Sequence, residues 1–210
     1  VECFKGIPDL TVLSNLVQLF KNFKVSLNMI RDIAMYMEKH YIETHKKVRI
    51  VNMGLIAFRD IVINESSIKP KLSTILLQQV KNDRDGFVID KSMVYDVLCL
   101  LVEVSVHSDI SCYNDIFETA FLQETKIFLS DNNNSLSRYS KKAETRIAEE
   151  KERIDTYILR QTEEKLRNIL NATLITQHGA MLLAYEDGLN SLLREHQLVY
   201  LGRIYGLYSR

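Results

Sequence analysis

Apolar residues recur along the chain at steps of one, three and four, and no convincing run of period-two alternation interrupts them, so the pattern predicts helices throughout. A first helix is expected around LTVLSNLVQLF, entered after Pro8 and Asp9. A second, about Phe23 to Lys46, carries Met29, Ile30, Ile33, Met37 and Tyr41 in one apolar stripe, as a helix packed along one side requires. The next stripes are Val48, Val51, Leu55, Phe58 and Val62, then Ile68, Leu72, Ile75, Leu76 and Val80. Pro70 falls in the first turn of that fourth helix, where a missing N–H costs little, and Gly86 stands where a C-terminal cap is expected.

Asp90 is placed to N-cap the following helix. That helix, to about Val106, is apolar on nearly every side, which predicts a central, buried position. Another stripe runs from Cys112 to Leu129 through Tyr113, Ile116, Phe117, Ala120, Phe121 and Phe128, and DNNNS at 131–135 breaks it as a loop. A long helix, roughly Leu136 to Leu159, has a narrow apolar stripe (Tyr139, Ala143, Ile147, Ile154, Tyr157). On its other side Arg146 with Glu150, and Glu149 with Arg153, form i,i+4 pairs on an expected exposed face. Thr162 is placed to cap the next helix, whose buried edge is Leu166, Ile169, Leu170 and Leu174. Three shorter pieces follow, around 180–185, 189–194 and 198–208. So many helices with short connections admit a compact bundle or a stack of helical units. The long central helix favours the stack.

Composition changes this picture little. Two prolines in 210 residues leave room for long uninterrupted helices. Lys and Arg total 27, as do Asp and Glu, so no overall field attracts nucleic acid or an anionic membrane. No apolar run approaches the roughly 18–20 residues needed to span a bilayer. The start, VECFKGIPDL, has neither an initiator Met nor the regions of a signal peptide, so the chain is expected to begin inside a longer protein. Cys3, Cys99 and Cys112 are odd in number and lack metal-ligand spacing, which favours a reducing compartment, cytoplasm or nucleus.

Catalytic signals are missing from the pattern. His40 and His45 are five apart, neither of the spacings that bring two imidazoles onto one helix face, and no HExxH, GxSxG, GxGxxG or GxxxxGK[ST] occurs. No cofactor and no metal site is expected. The acidic pairs Glu149–Glu150 and Glu163–Glu164 read as solvated charge. The basic run KKVR at 46–49 reads as cations favoured at a helix C-terminus. One feature points to binding. A second stripe, Asp32, Tyr36, Lys39 and Glu43, runs beside the apolar one at steps of four, three and four. A Tyr flanked by charges suits a protein interface, with an aromatic anchor and a polar rim. It suits equally an amphipathic Tyr that covers its own helix, and periodicity leaves both readings open.

Several segments, taken together, resemble a cullin. NMIRDIAMYMEKHY followed by VNMGLIAFRD is similar to the junction of the first and second cullin repeats. YNDIFETAFLQET, RYSKKAETRIAEEKERIDTYI and LGRIYGLYSR resemble later cullin segments in the same order and spacing. The resemblance implies an all-α, elongated stack of five-helix repeats: the end of the first repeat at 1–47, the second at 48–159 and the start of a third at 160–210. It implies the non-catalytic scaffold of a cullin-RING ubiquitin ligase. Its amino-terminal arm would bind a BTB-type adaptor, with an elongin C-like adaptor as the alternative. A RING protein would bind a carboxy-terminal domain that is not in this chain.

Within the BTB-binding class the helix presents a Tyr and, three residues later, an Arg. The matching positions are Tyr36 and Lys39, and Lys lacks the planar fork of Arg. The implied adaptor face is Asp32, Tyr36, Lys39, His40 and Glu43. The early helices that would complete it are absent. A helical-repeat tethering protein is the rival reading, and it would not be expected to carry the later motifs together.

Overall fold

The computed structural model describes residues 9–105, 111–130, 136–170 and 172, and all regular structure among them is helical. Their contacts divide the chain into two compact units, Val1–Ala120 and Phe121–Arg210.

In the first unit, α1 is Asp9–Ile33. It is one helix where the sequence pattern suggested a break near residue 21. The break falls instead at Ala34, whose ψ of 7° leaves the helical basin while its N–H still bonds Ile30 O at 2.9 Å. Helix α2 (residues 35–45) follows and includes a wide π turn, Glu38–Ile42. Helix α3 (residues 50–63) ends in a second wide turn, Arg59–Ile63. Helix α4 is Ile68–Arg84, α5 is Lys91–Glu103, and α6 (residues 112–130) gives its first turns to this unit.

The core of this unit comes from one face of each helix. Helix α1 contributes Val12, Leu13, Leu16, Phe20 and Leu27 and packs on α3, α4 and α5. Phe20 and Phe23 each bring a ring centroid within 5.1 Å of Phe58, the first edge-on. Gly54 lets α1 and α3 approach closely. A Cβ there would sit 2.5 Å from Leu27 Cδ1. Ion pairs Lys21–Asp96 (3.1 Å) and Lys24–Glu103 (2.6 Å) tie the polar flank of α1 to α5.

The expected stripe of α4 is buried in full: Ile68, Leu72, Ile75, Leu76 and Val80. Gly86 closes the helix at φ 84°, a conformation open to glycine at little cost, and the Asp90 carboxylate accepts from Met93 N–H at 3.0 Å to start α5. Helix α5 is central as expected through Val94, Val97, Leu98, Leu100 and Leu101, although Tyr95 and Val102 face outward. Tyr113, Ile116 and Phe117 of α6 are fully buried, and Lys69 pairs with Asp115. Arg59 donates from Nε to Asp60 Oδ1 at 2.8 Å, a hydrogen bond that holds the Asp60 carboxyl below its ordinary value. Its Nη1 is buried with no hydrogen-bond partner among the described residues.

In the second unit, α7 is Leu136–Thr156 and α8 is Glu163–Leu170, entered through a short 3-10 turn, Arg160–Thr162. Ile154, Tyr157, Ile158, Leu166 and Leu170 are buried there. The charges of α7 overturn one expectation. Glu150 is fully buried and Arg153 nearly so, and Arg153 Nη1 donates to Glu150 Oε1 at 3.2 Å in an i,i+3 pair. Arg146 lies over the Phe128 ring, 4.6 Å from its centroid. Glu150 and Arg153 therefore do not stand on an exposed face, because the helix turns its Glu150–Arg153–Ile154 edge inward. The DNNNS loop, Leu174 and the three short pieces beyond it lie outside the described residues.

Candidate protein-interaction face

The residues singled out at 32–43 lie where α1 gives way to α2. Across the Ala34 turn the backbone ladder holds, with Ala34 N–H bonding Ile30 O and Glu38 N–H bonding Ala34 O, both at 2.9 Å. The side chains on either side thus stay on one continuous rod. Tyr36 is 77% exposed, and its ring packs on the His40 imidazole at 4.5 Å between centroids, tilted by 50°. That i,i+4 contact fixes Tyr36 and His40 on one face, with Lys39 exposed beside them. Asp32 is exposed but engaged. One of its oxygens accepts from Arg31 Nη2 at 2.8 Å and Nε at 3.1 Å. Glu43 continues the helix, but its side chain lies outside the described residues.

A larger departure from expectation lies beside this face. The apolar stripe expected to pack is uncovered: Ile33 is 87% exposed, and Met29, Ile30, Met37 and Tyr41 are each more than half exposed. The physical reason is reach. The partners of α1 cover it only as far as Leu27, and its last turns carry the stripe beyond them. Met35 is exposed as well, so methionines flank Tyr36 on both sides. The pattern correctly located an apolar stripe but could not say that nothing else in the described residues lies against it.

Sequence reasoning also missed a second aromatic pair. Tyr41 stacks on His45 at 4.5 Å with 27° between planes, and His45 Nδ1 lies 3.0 Å from the backbone carbonyl oxygen of Tyr41. The signal was present as Tyr-x-x-x-His written twice, at 36–40 and 41–45. One wide π turn between the two pairs separates their registers.

What this surface offers is adhesion: two half-exposed or better Tyr rings, flexible Met side chains that adapt to a partner, and a rim of charge. Among the described residues no group of three or more His, Cys, Asp and Glu could hold a metal ion. Among them also, no helix is long and apolar enough to cross a membrane.

The family model described as Cullin alpha solenoid domain matches residues 2–210. The chain is 34% identical over 196 residues to Cullin-3 of Dictyostelium discoideum, an alignment covering 90% of this chain and 25% of that protein. It is 32% identical to Cullin-3A and to Cullin-3B of Arabidopsis thaliana, over 94% and 88% of this chain and 28% and 26% of theirs. The chain therefore spans about a quarter of the length of these relatives.

Proposed function

The chain belongs to the cullin family, and from that footing we propose that it is part of the arm of a ubiquitin-ligase scaffold that holds a BTB-type substrate adaptor. The observation that carries this is the Tyr36–His40 pair with Lys39, an exposed aromatic–basic face at the helix where the BTB-binding cullin class presents its Tyr and Arg. Likeness to three Cullin-3 proteins supports that class over others. Lys39 retains the charge but donates from a single point, so the bond pattern it makes differs from that of a guanidinium.

On this reading the face is Asp32, Tyr36, Lys39, His40 and Glu43. On the same reading, helices from other parts of the scaffold cover the bare stripe Met29–Ile33–Met37. The arm carries no chemistry of its own. Packed helices hold adaptor and catalytic ends at a set separation, and transfer becomes a matter of proximity. A RING protein binds a distant part of the scaffold. Repeat boundaries at 47/48 and 159/160 belong to the same reading and are supported by the non-helical backbone at 47–49 and 158–159. Free thiols at Cys99 and Cys112 support a place in the cytoplasm or nucleus.

Co-purification from cells tests the proposal. The full-length protein should bring down a BTB-domain adaptor and a RING protein together. A RING protein without any BTB adaptor would sink the adaptor class, and neither partner would sink the scaffold.

A further inference from the structure

The loop after α2 breaks two local rules at once, both with a cation. Lys46 ends the helix at φ 50°, the left-handed region where Gly or Asn is the usual choice and a long side chain is strained. Arg49 stands at the N-cap of α3 with an extended backbone (φ −64°, ψ 151°) and no side-chain cap bond. Ser, Thr, Asp or Asn there would satisfy an orphan N–H, whereas a cation faces the positive end of the helix dipole. A dipole role at the C-terminus of α2 accounts for the charge of Lys46, though not for its conformation, and it fails for Arg49. Residues that violate local preference without a local gain mark places where something else is served.

Charge shows what that is. Between residues 38 and 49 there are four Lys or Arg against two Glu, in a chain whose formal net charge is zero. Lys46, Lys47 and Arg49 are all exposed and form no ion pair among the described residues. Lys47 and Arg49 are two residues apart on the non-helical run into α3. In extended chain that step is about 6.6 Å, the spacing of alternate side chains on an extended partner segment. The loop also follows the proposed adaptor face directly in the chain, since the Tyr41–His45 pair comes straight after Tyr36–His40 and Lys46 straight after His45.

We infer that Lys46, Lys47 and Arg49 form an electrostatic dock for an acidic segment of the adaptor, extending the Tyr36 face by one loop. The inference rests on the adaptor reading above. The aromatic face supplies anchoring, and the loop steers the encounter and fixes register, which is what rim charges do best.

The test is the variant Lys46→Gly/Lys47→Ser/Arg49→Ser in the full-length protein, titrated with a purified BTB-domain adaptor, with Tyr36→Ala alongside. Glycine relieves the left-handed strain and serine supplies the missing cap, so the amides of α3 should exchange with solvent about 5- to 10-fold more slowly. Affinity should nonetheless fall about 5- to 10-fold at ~0.1 M salt, and the deficit should shrink below about 2-fold at ~1 M, where screening reaches about 3 Å. Undiminished affinity at ~0.1 M, while Tyr36→Ala does weaken binding, would overturn the dock and leave the adaptor face standing. Tyr36→Ala without effect would remove both. Faster exchange of those amides would show that the cations serve the fold, and a loss confined to anionic lipid vesicles would assign the loop to a membrane. Either result overturns the proposal.

Discussion

Replacing Glu150 by Ala separates the structure from the sequence pattern by a wide margin of energy. Read from spacing, Glu150 is one member of a surface i,i+4 ladder, and its loss should cost only about 0.2–0.5 kcal/mol. In the structure it has no exposed side-chain surface, and its Oε1 accepts from Arg153 Nη1 at 3.2 Å. At that separation and an effective dielectric near ~20, the attraction removed is about 5 kcal/mol. Part of this is returned because the carboxylate no longer has to be desolvated, but the buried Arg153 guanidinium then loses the negative charge beside it. The net expectation is about 3–5 kcal/mol.

The readout should be local, because a protein with several units does not unfold in one step. Hydrogen exchange of the amides between 150 and 170 reports the opening free energy of this segment directly. The double variant Glu150→Leu/Arg153→Met, which removes both charges and keeps the volume, should recover most of the loss or exceed the parent. A cost below about 1 kcal/mol for Glu150→Ala would mean that water screens the pair, and the inward turn of this edge of α7 would be wrong.

Three further substitutions probe the first unit. Phe58→Ala empties the site where the Phe20 and Phe23 rings meet and should cost about 3–5 kcal/mol in urea denaturation; a loss under ~1.5 kcal/mol would show the trio to be loosely packed. Asp90→Ala removes the side-chain bond to Met93 N–H that starts α5 and should cost about 1 kcal/mol, with Asp90→Ser recovering most of it; equal losses in both variants would rule out capping as the cause. Gly54→Ala sets a methyl against the Leu27 side chain and should destabilise by about 1 kcal/mol after the gain in helix propensity. In a Leu27→Ala background the same change should become stabilising, and an unchanged sign would show that α1 and α3 do not approach closely here.

Helix existence was legible wherever the buried face was a clean stripe with a chemical start and stop. Helix α4 and the Gly86–Asp90 junction are the clearest case, since five apolar positions, a left-handed glycine and a capping carboxylate all point the same way. Where signals were weaker, tertiary structure decided. Ala34 is a strong helix former, so nothing in its identity marks a turn there. The wide turns at 38–42, 59–63 and 114–118 have no residue signature at all.

Burial was read less well than helicity, and in both directions. Glu150 and Arg153 looked solvated because charges usually are, while Met29, Ile33 and Met37 looked packed because apolar stripes usually are. Periodicity states which residues share a face, but what meets that face depends on contacts distant in sequence. For the candidate face, spacing placed Tyr36 in a stripe with Asp32, Lys39 and Glu43, His40 joined it only through the family resemblance, and exposure stayed open. The structure supplied the exposure, the ring contact and the engagement of Asp32 by Arg31.

The proposed adaptor-binding role of this face is tested most directly by isothermal titration of the full-length protein with a purified BTB-domain adaptor, comparing the parent with Tyr36→Ala. Tyr36 exposes an aromatic ring held against His40, so on the proposed reading truncation should weaken binding by about 1–3 kcal/mol, roughly 5- to 150-fold in Kd. An unchanged Kd would contradict the account and take Tyr36 out of the interface.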